Sequence, residues 1–361
     1  MRSGGRTVLK LYETLGFRPR ICVWEITSKC NLRCLHCASS LGSDATRADE
    51  LDTPRAVRLT EELAELGCEY AVLSGGEPLL RQDWPVLARS FRSHGVTVGM
   101  ISNGILMDAM TAKAVKASGV SVVAVSVDGL EATHDRIRQR EGAFRAALRA
   151  LRNAADEGLR IHVVTHVNRL NRVEVPHLQS VLEEIGVRTW LVQLSAPMGR
   201  MKARRDLILD REEVRELATW LAKAREGGRM HIAVGDNIGY FSPVEETLRR
   251  SGDDSPFPFW CGCVAGMLAV GIESNGNVKG CLSLQEDRFI EGNVASSSLR
   301  DIWESPTAFA YTRLFTVDKL HGACEGCELG EVCRGGCTFM ATAATGEPHD
   351  FPLCLSRTSR T

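Results

Sequence analysis

The sequence has no excess of either charge: 45 acidic residues stand against 44 basic ones, a formal net charge of −1 at neutral pH. Such a balance supplies no field for nucleic acid or for an anionic membrane surface. No apolar run free of charge reaches the length of a membrane span. The first twenty residues, MRSGGRTVLKLYETLGFRPR, lack the apolar core of a secretory signal. Internal repeats and low-complexity segments are missing too. These absences predict a cytoplasmic protein with neither nucleic acid nor membrane as partner. The 361 residues, 44% of them hydrophobic, suffice for one large packed domain and a smaller one.

What the chain has in plenty is cysteine, thirteen in all. In a reducing compartment, metal binding or catalysis explains so many better than disulfides do. They are clustered: three lie at 30–37, two at 261–263, one at 281, four at 324–337 and one at 354. Cys22 and Cys68 stand apart, as small buried hydrophobes do.

Six short β-rich runs alternate with amphipathic stretches over residues 21–195. The runs are ICVWEIT (21–27), EYAVLS (69–74), VTVGMIS (96–102), VSVVAVSVD (120–128), RIHVVTHV (160–167) and RTWLVQL (188–194). Helical spacing appears at 53–67, 83–95, 108–119, about 142–158 and 175–186. This alternation predicts a parallel sheet covered by helices, a full or partial (β/α) barrel with its chemistry at the C-terminal ends of the strands. A further helix is expected at about 211–226, then a Pro- and Gly-rich boundary over 235–260. Beyond it the chain is rich in loops and cysteine, with a hairpin turning at Asn275-Gly276. The expected organisation is an N-terminal extension (1–20), a core (21–195), a connecting region (196–259) and a cysteine-rich domain (260–361).

The stretch CNLRCLHC follows the first strand and puts Cys30, Cys34 and Cys37 within eight residues. Four thiolates would complete a structural zinc site or a fully ligated cluster. Three on a cubane [4Fe–4S] cluster leave one iron open to another ligand. Zinc completed by His36 or a remote residue is the competing reading.

Cys-x3-Cys-x2-Cys, with His36 before the last cysteine, resembles the signature of the radical S-adenosylmethionine (SAM) superfamily. The resemblance implies a (β/α)6 partial TIM-like barrel and a [4Fe–4S] cluster whose open iron chelates SAM. It also implies reductive cleavage of SAM to a 5′-deoxyadenosyl radical that abstracts a substrate hydrogen. SGGEP after the second strand resembles the family's GGEP motif: Gly75 and Gly76 would let backbone approach SAM, Glu77 would accept from its ammonium, and Pro78 completes the motif. A plain turn is the alternative for this stretch taken alone. SNG after strand three and SVDG after strand four supply Asn103, Ser126 and Asp128 as ribose and methionine contacts. Arg138 resembles the arginine that meets the SAM carboxylate, against the alternative of a solvated helix charge. Asn168 is a further candidate, and His36 is expected beside the adenine.

The remaining cysteines resemble the SPASM domain, a C-terminal extension with two auxiliary clusters. The family's interleaving assigns Cys324, Cys327, Cys333 and Cys354 to a distal [4Fe–4S] cluster. It assigns Cys263, Cys281 and Cys337 to a proximal one, with Cys261 as fourth ligand despite its short spacing to Cys263. The proximal cluster is thus expected as [4Fe–4S], as [2Fe–2S], or with an open iron. The competing reading is a zinc ribbon over 324–337.

The resemblance implies an oxidoreductase-type maturase whose auxiliary clusters accept an electron from the substrate radical. Peptide modification (crosslinking, oxidation or epimerisation) is the first expectation, as in the assembly of peptide-derived natural products. A carbinol dehydrogenase of small molecules, as in aminoglycoside-like biosynthesis, is the second. Sulfatase maturases carry aspartate after the cysteine matching Cys281, where this chain has Leu282. About twenty residues precede strand one, too few for a leader-recognition domain. The expected partners are therefore a peptide or small-molecule substrate, a flavodoxin- or ferredoxin-type electron donor and a separate peptide-recognition protein. A non-catalytic electron-transfer or iron–sulfur scaffold protein is the reading from another class.

Overall fold

The computed structural model describes residues 12, 14, 16–42, 47, 49–227, 229–249 and 260–356. Most of the N-terminal extension, and the part of the expected boundary at 250–259, lie outside the described residues.

The six strands expected are present: β1 (Ile21–Thr27), β2 (Tyr70–Gly75), β3 (Thr97–Ser102), β4 (Val120–Ser126), β5 (Arg160–Val167) and β6 (Thr189–Leu194). They pair in sequence order and in parallel, for instance Val23 with Val72 and Val163 with Trp190. Helices cover the outer face. In the helix Thr53–Glu65, Asp52 caps the N-terminus by accepting the Arg55 N–H at 2.8 Å, and Pro54 occupies the first turn, where its missing N–H costs nothing. The helix Ala143–Asp156 presents an alanine-rich buried face. That face packs so closely that a Cβ at Gly104 (φ +82°) would sit 2.9 Å from the Ala147 backbone. Trp24 packs edge-on against Phe91 between β1 and the helix Trp84–Ser93.

Two additions extend the barrel beyond six strands. β7 (His231–Val234) pairs in parallel with β6. On the other edge, β8 (Ala269–Ile272) pairs in parallel with β1, Ile21 opposite Ala269 through Trp24 opposite Ile272. β8 turns at Asn275-Gly276 into antiparallel β9 (Asn277–Lys279), and β10 (Gly292–Asn293) closes that edge. The single sheet runs β10-β9-β8-β1-β2-β3-β4-β5-β6-β7 and stays open between β7 and β10. The cysteine-rich segment is thereby spliced onto β1, the strand that delivers Cys30. Among the described residues no helix is long and apolar enough to cross a membrane.

Candidate active site

The loop after β1 is fastened from four sides. The GGEP turn donates Gly76 N–H to Thr27 O at 2.9 Å and Glu77 N–H to Lys29 O at 2.7 Å. The two glycines owe their identity to this contact: a Cβ at Gly75 would lie 2.3 Å from Thr27 O, and one at Gly76 2.1 Å from Lys29 O. Asn103 Nδ2 donates to Asn31 Oδ1 at 2.7 Å. Leu35 N–H reaches Ile137 O at 2.8 Å. Arg200, beyond β6, donates from Nε to Cys34 O at 2.7 Å and from Nη1 to Leu41 O at 2.9 Å.

Glu77 is fully buried and tied to β3, accepting from Ser102 Oγ at 2.9 Å and Asn103 N–H at 2.8 Å. Burial pushes its carboxyl up to about 7 against these hydrogen bonds. The side chain joins the ends of two strands. Pro78, also buried, opens the short turn Pro78–Leu80.

Asp128 is the hub of the opposite wall. Fully buried, it lies 2.6 Å from Arg138 Nη2 and 3.1 Å from His36 Nε2, and accepts from the His166 N–H at 2.9 Å. Burial alone would raise its pKa, but Arg138 and then His36 outweigh it and hold the carboxyl well below the usual range. Arg138 is buried, not solvated, and its Nη1 points to Cys34 Sγ at 3.6 Å. His134 Nδ1 accepts the Asp128 N–H at 3.0 Å, and burial lowers His134 to about 4. His36 stacks edge-on against His166, and Gln193 on β6 meets the His166 Nε2 at 2.8 Å. Burial lowers His166 to about 3. Half-buried Ser126 ends β4 beside Val164. Asn168 is turned into its own loop, accepting the Leu170 N–H at 2.9 Å.

Two buried polar atoms beside the thiols, His36 Nδ1 and Arg138 Nε, have no hydrogen-bond partner among the described residues. Burial pushes Cys30 up to about 11 and raises Cys34, and Cys37 adds to both. Three clustered thiols, two of them raised by burial, beside buried polar atoms without a partner fit a cationic cluster with a polar ligand beside it. Among the described residues no three His, Cys, Asp or Glu side chains close on one point as ligands of a single ion would.

The other cysteines fall into two groups. Cys324, Cys327, Cys333 and Cys354 line one cavity walled by Leu320 and Leu329. Burial, then Cys354, Cys324 and Cys327, hold Cys333 well above its ordinary value. Cys337 belongs elsewhere: after burial, the charges acting on it are Cys263, Asp236 and Cys281. Of the four cysteines at 324–337, three thus line that cavity together with Cys354, and Cys337 does not. Cys261 lies near Arg334. Burial raises it to about 11, and the charges acting on it are Arg334 and Glu245. Arg334 Nη2 donates to both Cys261 O, at 3.1 Å, and Cys263 O, at 2.9 Å.

Sequence reasoning missed Arg200, Asn31, His166, Gln193 and Arg334. Each is a lone polar residue whose role comes from a strand or loop distant in sequence. The position of His166 and Gln193 at the C-terminal ends of β5 and β6 was the available signal.

Known proteins place this geometry. The family model for the radical SAM superfamily matches residues 24–178, and that for the iron–sulfur cluster-binding SPASM domain matches 263–328. Mycofactocin maturase MftC of Mycolicibacterium smegmatis is 30% identical over 343 residues, 93% of this chain and 82% of the relative. AdoMet-dependent heme synthase of Methanosarcina barkeri is 28% identical over 347 residues, 94% and 97% of the two chains. The crystal structure of Streptococcus suis SuiB superposes with a TM-score of 0.73 at 18% identity, covering 97% of this chain and 80% of that one. The chain belongs to the radical SAM superfamily, in the branch that carries a C-terminal SPASM domain. It is a radical SAM enzyme, with SAM and a [4Fe–4S] cluster in the core and auxiliary iron–sulfur clusters in the SPASM domain.

Proposed function

We propose that this enzyme carries out a two-electron oxidation of a peptide, in the manner of a peptide maturase. When bound, SAM and its cluster supply a 5′-deoxyadenosyl radical, and the auxiliary clusters supply electron acceptors. Cys30, Cys34 and Cys37 hold the first cluster, and the GGEP turn, Asn103 and Arg200 fix their loop. His36, Ser126, Asp128 and Arg138 form the wall that SAM meets, with Arg138 and His36 held in place by Asp128. With these groups bound, the oxidation would balance as the loss of one hydrogen atom, one electron and one proton from the substrate.

One observation carries this reading: β8, between Cys263 and Cys281, is annexed to β1, which leads directly into Cys30. That pairing supports a reading in which radical generation and electron acceptance share neighbouring strands. The organisation into a core (21–195), a connecting region (196–259) and an auxiliary-cluster domain (260–361) goes with it. The peptide substrate is supported by the relatives: a mycofactocin maturase, and SuiB, whose structure has been solved with its precursor peptide SuiA.

A second reading, a tetrapyrrole substrate, is favoured by the heme synthase match across nearly the whole of both chains and by the 30% identity to an Fe-coproporphyrin III synthase of Methanosarcina barkeri. One experiment separates them. The reduced enzyme is given SAM with either a short precursor peptide encoded beside its gene or iron coproporphyrin, and 5′-deoxyadenosine and oxidised product are measured. Product from the peptide alone supports the first reading, and product from the porphyrin alone replaces it. Cys281→Ala should retain SAM cleavage and lose oxidised product. Unchanged product per 5′-deoxyadenosine in that variant, with the proximal cluster shown absent, would refute the acceptor role.

A further inference from the structure

Among the described residues, the buried cationic side chains besides histidine are Arg138, Lys279, Arg313 and Arg334. A buried charge needs a counter-charge or a polarisable neighbour. Arg138 has Asp128 at 2.6 Å, and Lys279 has Glu273 at 2.7 Å. Arg313 lies against the faces of Phe17, Trp303 and Phe309, 4.4 to 4.8 Å from the ring centres. Arg334 is the most buried of the three arginines, at 4% exposure. Among the described residues it has neither a carboxylate partner nor an aromatic face. Its guanidinium cannot shed its proton to escape the cost.

What Arg334 does touch is the segment of Cys261 and Cys263. Nη2 donates to Cys261 O at 3.1 Å and to Cys263 O at 2.9 Å, and Nη1 lies 3.0 Å from Met267 Sδ. The segment wraps the guanidinium closely: a Cβ at Gly262 (φ +86°) would sit 2.3 Å from Nε. Arg334 itself stands in the left-handed region at φ +55°, which costs energy for a residue with a side chain. It is held there by its N–H, which reaches Gly330 O at 2.9 Å, and by its carbonyl, which meets His349 Nδ1 at 2.8 Å. A strained backbone and a glycine thus hold one positive charge against the Cys263 backbone.

We propose that Arg334 is the counter-cation of the proximal auxiliary cluster and holds its reduction potential up. The inference rests on the reading of Cys263, Cys281 and Cys337 as the proximal set. A cluster with its thiolates is anionic overall, and more so once reduced, so a fixed cation beside it favours the reduced form. Arg334 therefore acts as a positioning and tuning residue, and it suits the proximal site to accepting an electron.

The test is a redox titration of the anaerobically reconstituted full-length enzyme with dithionite, followed by electron paramagnetic resonance, without SAM or substrate. The proximal signal is the one absent from Cys281→Ala. Met267→Glu offers the guanidinium a carboxylate while leaving Arg334 in place, and Met267→Gln is its uncharged match. In Met267→Glu the ratio of reduced to oxidised proximal cluster at a fixed potential should fall about tenfold or more, a downward shift of about 59 mV for a one-electron couple. Met267→Gln should titrate with the parent. Arg334→Gln should shift in the same direction as Met267→Glu, and Arg334→Lys, which keeps the charge, should shift less. Iron content shows whether each variant keeps its clusters; should Arg334→Gln lose auxiliary iron, the Met267 pair decides. Equal proximal potentials in Met267→Glu and Met267→Gln, or a shift confined to the distal signal, would overturn the assignment. A parent with no signal that depends on Cys281 would instead remove the proximal cluster itself, and this inference with it.

Discussion

The guanidinium of Arg138 lies 2.6 Å from the Asp128 carboxylate, with both side chains buried and Cys34 Sγ at 3.6 Å on the far side. The charge on Arg138 is thus shared between a fixed acid and a cysteine of the candidate cluster loop. Arg138→Gln leaves Asp128 buried without its main counter-charge, a loss of about 3–5 kcal/mol for breaking one side of a buried pair. Asp128→Asn in the same chain should return much of it. Melting temperatures of the single and double variants check the stability claim, and equilibrium dialysis with SAM checks that Arg138→Gln also weakens SAM binding. Equal stability of parent and Arg138→Gln would refute the pairing.

Gly76→Ala forces a Cβ to within 2.1 Å of Lys29 O, and backbone must move. The strain is on the order of 1–3 kcal/mol, and it displaces the loop that carries Cys30. SAM cleavage should fall about tenfold or more, as even a 1.4 kcal/mol barrier change requires, while auxiliary iron is retained. Rates of 5′-deoxyadenosine formation and iron content measure both.

Glu77 supplies a pH dependence of known sign. Its folded pKa of about 7 lies above the unfolded carboxyl value of 4.5. The native state therefore holds this proton more tightly, so stability from Glu77 is full below pH 4.5 and is lost as pH rises through about 7. The loss is on the order of 3 kcal/mol. Buried His134 and His166 act in the opposite sense, since their lowered values cost stability as pH falls below the ordinary histidine range. The Glu77 contribution is isolated as the difference between parent and Glu77→Gln in denaturant unfolding at pH 5 and pH 8. That difference should shrink at the higher pH, and a difference independent of pH would contradict it.

Reconstituted protein should carry about 12 irons per chain with three cubane clusters, or about 10 with a [2Fe–2S] proximal cluster. A value near four would remove the auxiliary clusters. One or more equivalents of zinc would restore the ribbon reading.

Much of this was legible in the sequence because the signals are local. β4 announces itself as a β-branched run, and Asn275-Gly276 as a hairpin turn. β7 escaped notice because HIAV is four residues long, too short for periodicity to register. The helix Glu131–Arg138 escaped because it is mostly polar, although one face buries His134, Ile137 and Arg138. The pairing of β8 with β1 joins residues nearly 250 positions apart, which no local pattern encodes.

The account rests on Cys30, Cys34 and Cys37 holding the cluster that cleaves SAM, apart from the auxiliary set. The most direct measurement is 5′-deoxyadenosine formed from SAM under a strong reductant by the parent and by the Cys30→Ala, Cys34→Ala, Cys37→Ala triple variant, with iron counted in each. The account predicts turnover in the parent, none in the triple variant, and about eight irons retained there if both auxiliary clusters are cubanes. Cleavage at the parent rate in the triple variant would contradict it.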